Sequence, residues 1–177
     1  MSGEYFEDEQ FTGTDYSISP LTTGEYENCR FEDCCFSGSD LSEIKFIECE
    51  FENCDLSLAR VTGAVFNDVE FKSCKMLGIR FDSCNKLLMS FNFEDCQLSS
   101  SIFCDLTLRN TKFIRCKIHE ADFANTDLTA SFFENCDLSG SIFENTNLEK
   151  ADLSLSSNFS IDPENNRIKK QNFRGKM

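Results

Sequence analysis

Cysteine supplies the first residues in this chain whose type could do chemistry: there are eleven in 177 residues. A thiolate can bind zinc, exchange disulfides or attack a carbonyl. Each role needs partners at a set spacing, CxxC pairs with histidines for zinc or a neighbouring base for nucleophilic attack. The chain offers neither, because His119 is its single histidine and no Ser or Cys stands near it in a recognisable nucleophile context. The cysteine count is odd, and the N-terminus MSGEYFEDEQ has neither the basic start nor the apolar core of an export signal, so a disulfide framework is not expected either. The 31 Asp and Glu residues will bring some pair close enough for acid/base work, yet that work needs a cleft that desolvates one of them. GxGxxG, P-loop, HExxH and EF-hand patterns are all missing. The expectation is a protein that is not an enzyme and holds no metal or cofactor.

What positions the cysteines is more informative than their chemistry. In ADFANTDLTASFFENCDLSGSIFENTNLEKADL, residues 121–153, a Phe or Leu stands at 123, 128, 133, 138, 143, 148 and 153, with a small residue two places before each. A period of five fits neither an amphipathic helix nor an ordinary strand and points to a repeat architecture. The same phase runs back to Phe93. A second phase, two residues out of step, runs from Phe6 to Phe81 through Phe31, Phe51 and Phe71. The linking stretch CNKLLMS, residues 84–90, reads as one repeat with two extra residues around Leu88. Nine of the eleven cysteines, Cys84 among them, fall on the small inward position, where a thiol acts as a compact hydrophobe; Cys35 and Cys104 fall on outward phases, as does His119.

Units such as ADFAN, TDLTA, CDLSG and ADLSL resemble the repeats of the pentapeptide repeat family over roughly residues 6 to 155. That resemblance implies an all-β fold, a right-handed quadrilateral parallel β-helix with four pentapeptides per coil, and about seven coils for this chain. The sequence can be checked against that geometry, since residues 20 apart should then lie one above another. With the long unit counted as one, one face collects Phe11, Phe31, Phe51, Phe71, Phe93, Phe113, Phe133 and Leu153. A second gives Leu21, Leu41, Val61, Phe81, Phe103, Phe123 and Phe143. A third gives Phe6, Tyr26, Phe46, Phe66, Leu88, Leu108, Leu128 and Leu148. Like residues gather in columns, as stacking favours. The organisation expected is a β-helix over residues 1–166, with a weakly patterned N-terminal cap and a turn near Pro163, followed by a short basic tail over 167–177.

Charge bounds the partners. Net charge is −14, which argues against direct binding of nucleic acid or of anionic membranes, and no run of 18 apolar residues suggests a membrane span; a cytoplasmic protein is expected. All 31 carboxylates precede residue 167, against 12 cations there, a net of −19. At roughly 4.8 Å per coil the rod is about 35 Å long and carries one net charge per about 1.8 Å, against about 1.7 Å for duplex DNA. On the face of the Phe11 to Phe133 column the outward acids are Glu32, Asp33, Glu50, Glu52, Glu70, Glu94, Asp95 and Glu134, relieved by Arg30, Lys72, Lys112 and Arg115.

Within the family the chain resembles the quinolone-resistance (Qnr) branch in length, acidity, Phe-rich interior and a single mid-chain departure from phase. The resemblance implies a DNA mimic that binds DNA gyrase or topoisomerase IV and modulates quinolone sensitivity, with those eight acids as the contact surface. That branch projects sizeable loops and forms tail-to-tail dimers through a C-terminal helix. The only insertion here is the two residues of CNKLLMS, and little chain follows Pro163, so a homodimer by that route is not expected. The alternative is a structural or protein-binding scaffold with no topoisomerase link, which would bind through outward apolar residues such as Leu87 and Met89. An acidic skin also keeps a β-rich rod soluble without any partner.

Overall fold

The computed structural model describes residues 3–169, and the chain in it winds as a four-sided parallel β-helix. Its strands are β1 (Glu4–Glu7), β2 (Gln10–Thr12), β3 (Gly24–Glu27), β4 (Arg30–Glu32), β5 (Lys45–Ile47), β6 (Glu50–Glu52), β7 (Val65–Asn67), β8 (Val69–Lys72), β9 (Phe91–Glu94), β10 (Lys112–Ile114) and β11 (Phe132–Glu134). One face is a seven-stranded sheet in the order β2-β4-β6-β8-β9-β10-β11, another a four-stranded sheet β1-β3-β5-β7. Every pairing is parallel, and the first tract keeps a register of 20, as in Phe31↔Phe51 and Phe46↔Phe66. The remaining sides are held by single bridges such as Asp55↔Lys75 and Asp122↔Ile142.

Corners explain the polar part of the repeat. The residue two after most central Phe or Leu residues turns the chain in the left-handed region, with φ between +51° and +70°; Ile18, Thr23, Ser83 and Leu155 do not. Asp, Asn and Gly tolerate that conformation best, and they hold most corners, among them Asn28, Asp33, Gly38, Asn53, Gly63 and Asn135. Many corners close as type II turns in which the N–H three residues on donates to the central carbonyl, Ser39 to Phe36 at 2.9 Å and Ala59 to Leu56 at 3.0 Å. The repeat is therefore a turn signal every five residues, not a strand signal.

Inside, the rings stack as the sequence columns require. Centroids lie 4.8 Å apart for Phe11–Phe31, 4.7 Å for Phe31–Phe51 and 4.5 Å for Phe113–Phe133, and the second column repeats this at Phe81–Phe103 and Phe103–Phe123, 4.8 and 4.9 Å. Each stacked pair adds about 0.5–1.5 kcal/mol beyond burial. Six cysteines, Cys34, Cys54, Cys74, Cys96, Cys116 and Cys136, form a column of their own. Each thiol donates to the carbonyl of the central Phe one coil back, Cys54 to Phe31 at 3.4 Å and Cys136 to Phe113 at 3.2 Å. Ser156 and Thr126 do the same, at 2.9 Å to Phe133 and 2.7 Å to Phe103. The small position thus fills space and satisfies a buried carbonyl.

The long unit departs from expectation. It begins in register, the Asn85 N–H donating to the Ala64 carbonyl at 2.9 Å, and re-enters where Ser90 N–H donates to Phe66 at 2.9 Å. Between them the chain loops outward, and Leu88, expected to continue the third column, is 71% exposed at a corner with φ +58°. Phe91 takes its place. It stands at a small position, paired with Val69, in a column otherwise built of Cys29, Cys49, Thr111, Ser131 and Ala151. Its ring turns into the space that Leu88 vacates, with centroids 6.4 Å from Phe66 and 5.2 Å from Phe81.

At the N-terminal end Phe6 and Phe11 are only partly buried, each stacked on one side, and Glu4 and Glu9 stand exposed at inward phases. Charges there blunt an open strand edge. At the other end Arg167 still pairs with Asn147, and buried Asn166 donates to Phe143 O at 2.9 Å. The stretch from Lys170, most of the basic tail expected at 167–177, lies outside the described residues.

Candidate interaction surface

Outward side chains inherit the coil register, so like positions form columns about 4.8 Å apart. The eight carboxylates read from the sequence do lie on the seven-stranded face, Asp33 and Asp95 at exposed corners, Glu32, Glu50, Glu52, Glu70, Glu94 and Glu134 half-buried beside the strands. Most have neighbours across coils. Arg30 spans Glu50 and Glu52, Lys72 holds Glu50 at 2.9 Å, and Arg115 clamps Asp95 at 2.7 Å and Glu94 at 2.5 Å. Gln10 donates to Glu32 at 3.2 Å and Asn92 to Glu70 at 2.9 Å. Among the described residues, Asp33, Glu70 and Glu134 have no cation within ion-pair distance, Glu70 being met only by the Asn92 amide. The arginine beside Asp95 holds its carboxyl below the usual range. Sequence reasoning missed this cross-coil pairing. Its signal is the register of 20, which puts Arg30 beside Glu50 and Lys72 beside Glu52.

Of the two loop residues expected as apolar contacts, Leu87 is 74% exposed, but Met89 is partly buried against the core. Met89 packs against the core while Leu88 takes the outward place, so the exposed pair is Leu87 and Leu88. Asn85 braces the loop by accepting from Leu87 N–H at 3.0 Å, and Lys86 reaches the Asp105 carbonyl at 3.1 Å.

The candidate chemistry is spread out instead of gathered. Nine cysteines are buried and only Cys35 and Cys104 are partly accessible. Burial pushes the Cys49 and Cys84 thiols up to about 12, and burial with Asp122 beside it pushes Cys104 up to about 11, opposite to what a nucleophile or metal ligand needs. His119 contacts Asp137 at 2.9 Å on the surface. Among the described residues no group of three or more His, Cys, Asp or Glu is placed to hold a metal ion, and no helix is long and apolar enough to cross a membrane.

A five-residue corner code, two interior positions per repeat and parallel coils define a pentapeptide-repeat solenoid. The family model described as "Pentapeptide repeat region" matches residues 24–87 and 79–153. The chain belongs to the pentapeptide repeat family and has its right-handed β-helical fold. No curated protein matches it by sequence. Among solved structures, a trypsin-treated variant of QnrB1, a plasmid-mediated fluoroquinolone resistance protein, superposes with a TM-score of 0.71 at 17% identity, over 97% of this chain and 84% of that one. Full-length QnrB1 is matched at TM-score 0.43 and 20% identity, over 96% and 93%. HetL, a pentapeptide repeat protein involved in heterocyst differentiation regulation from Nostoc sp. strain PCC 7120, is matched at 0.34 and 18%, over 88% and 79%.

Proposed function

We propose that this protein is a non-enzymatic binding rod that presents its carboxylate columns to a basic, DNA-binding surface, and that the partner is a type II topoisomerase, DNA gyrase or topoisomerase IV, whose quinolone sensitivity it modulates. The observation that carries the reading is the registered row of carboxylates along one straight face. Fixed negative charges repeating once per coil, on a rod whose overall charge per length is close to that of duplex DNA, attract a surface built for phosphates. The QnrB1 variant, itself a fluoroquinolone resistance protein, shares the fold, which supports the choice of partner.

The test is gyrase supercoiling and quinolone-induced cleavage measured with increasing protein across a salt series. Inhibition or protection that fades steeply with salt is the expected result, because the rod replaces phosphate contacts. No effect at any concentration rules the topoisomerase reading out. The exposed Leu87–Leu88 pair favours a second reading, a protein-binding scaffold anchored by an apolar knob; binding to any partner that ignores salt and disappears in Leu87→Ser would select it.

A further inference from the structure

One corner of the first four coils differs from the rest of the rod. It joins the side centred on Phe36 and Leu56 to the side centred on Leu41 and Val61, and its turn residues are Ile18, Gly38, Leu58 and Gly78, one per coil. Ile18 is 81% and Leu58 71% exposed. Leu58 sits at φ +58°, a conformation that favours Asn or Gly over leucine, so the local turn gives no reason for the side chain that stands there. Over Gly38 there is open space: a Cβ built there meets nothing within 4 Å. Over Gly78 the place is taken, since a Cβ there would come within 2.9 Å of Leu58 Cδ2. The corner is a row of knob, notch, knob and filled notch.

Its charge is also unlike its surroundings. The two sides flanking it carry Asp15, Asp40, Asp55 and Asp82 against Arg60, Lys75 and Arg80, and the pairs close on themselves: Arg60–Asp40 at 2.9 Å, Lys75–Asp55 at 3.2 Å and Arg80–Asp82 at 2.7 Å. Asp15 accepts from Ser17 N–H at 3.0 Å. The remaining surface of the same stretch, residues 3–83, carries fourteen carboxylates against three cations.

We infer that this corner is the docking surface for a second copy of the chain, lying alongside and antiparallel. A basic partner gains most on the acidic sides and least here. Another copy, itself at −14, can approach closely only where carboxylates do not face carboxylates. The row is self-complementary under a two-fold axis placed between Gly38 and Leu58. Leu58 of each copy then enters the open space over the other's Gly38, while Ile18 meets the corner where the partner's own Leu58 covers Gly78. Such an isologous contact closes at two copies. Four coils span about 19 Å, so the interface falls in the small class and the dimer is weak and concentration-dependent.

Sedimentation velocity on the full chain from about 1 μM to about 1 mM tests this. A reversible monomer–dimer equilibrium is expected, tightened by salt because the residual repulsion is screened. Leu58→Asn removes two knobs per dimer and raises the dissociation constant about 100-fold or more, while suiting the left-handed corner so that the melting curve confirms an intact fold. Gly38→Asn, which fills the notch with the side chain that best tolerates a left-handed corner, has the same effect on association, its melting curve checking the fold. Monomer at every concentration overturns the inference, as does a dimer that both variants form with unchanged affinity. The topoisomerase assay uses other sides of the rod, so its outcome leaves this one independent.

Discussion

Phe91 lies directly over Val69 in a column of small residues, and its ring fills the room that Leu88 leaves by turning outward. Loop and aromatic substitution form one device, since an outward insertion without a larger neighbour would open a void. Phe91→Ala is expected to cost about 3–5 kcal/mol, whereas Leu88→Ala should lie within about 0.5 kcal/mol of wild type. Chemical denaturation of both variants checks it. Equal effects would mean that the loop packs inward after all.

Corner residues offer a contrasting pair. Ala130 adopts φ +56° and Gly140, two repeats later, φ +70°. Ala130→Asn should stabilise the chain by a few tenths to about 1 kcal/mol, and Gly140→Ala should destabilise it by about 1 kcal/mol or more, because a Cβ disfavours the left-handed region. Thermal melts of the two variants should therefore shift in opposite directions.

These cases show what is legible in the sequence. The period of five names the central and small positions without ambiguity, so the stacking of Phe31, Phe51, Phe71 and Phe93 follows from counting alone. The exit of Leu88 does not, because a unit of seven leaves open which of its residues turns inward. The available signal is Phe91 itself, a large ring at a phase where every neighbouring coil has a small or β-branched residue. The candidate surface is legible as composition but not as electrostatics. Whether Glu52 is free or paired depends on Arg30 reaching diagonally across a coil, and that reach comes from side-chain length and strand spacing, which no one-dimensional pattern encodes.

Thiol accessibility gives a direct check on the cysteine column. At most Cys35 and Cys104 should react with an aromatic disulfide reagent in the native state, and all eleven should react after unfolding. Cys104, pushed up to about 11, should react slowly at pH 8 and faster as the pH is raised, since the thiolate is the reactive form. Fast native labelling of Cys96 or Cys116 would contradict the burial of the column.

Acid stability follows from depressed carboxylates. The Ser139 hydroxyl, Asn158 and His119 hold the Asp137 carboxyl well below its ordinary range, and Arg115 lowers Asp95. A group depressed on folding contributes stability that is present above its unfolded pKa, about 3.9, and lost as pH falls through the folded value. Melting temperature should therefore drop more steeply below about pH 4 in wild type than in Asp137→Asn, with both measured at high salt to screen general repulsion. Identical slopes would show that the Asp137 contacts do not persist in solution.

The ion pairs on the carboxylate face separate a phosphate-mimicking role from a merely soluble skin. Arg30 contacts Glu50 and Glu52 at once, and its side chain is 45% exposed, so Arg30→Gln should cost at most about 1 kcal/mol of stability. It also frees Glu52 on the strand face, while Lys72 still holds Glu50. If that face binds a basic DNA-binding surface, Arg30→Gln should strengthen gyrase inhibition and steepen its salt dependence, because each added charge that replaces a phosphate contact raises the slope. Asp33→Asn with Glu134→Gln, which removes two of the three face carboxylates that no described cation neutralises, should weaken inhibition several-fold without moving the melting temperature. Opposite signs from two substitutions on one face cannot come from solubility or from a fold defect. Should both variants inhibit like wild type, the face is only a solvated surface and the partner must be sought at Leu87 and Leu88.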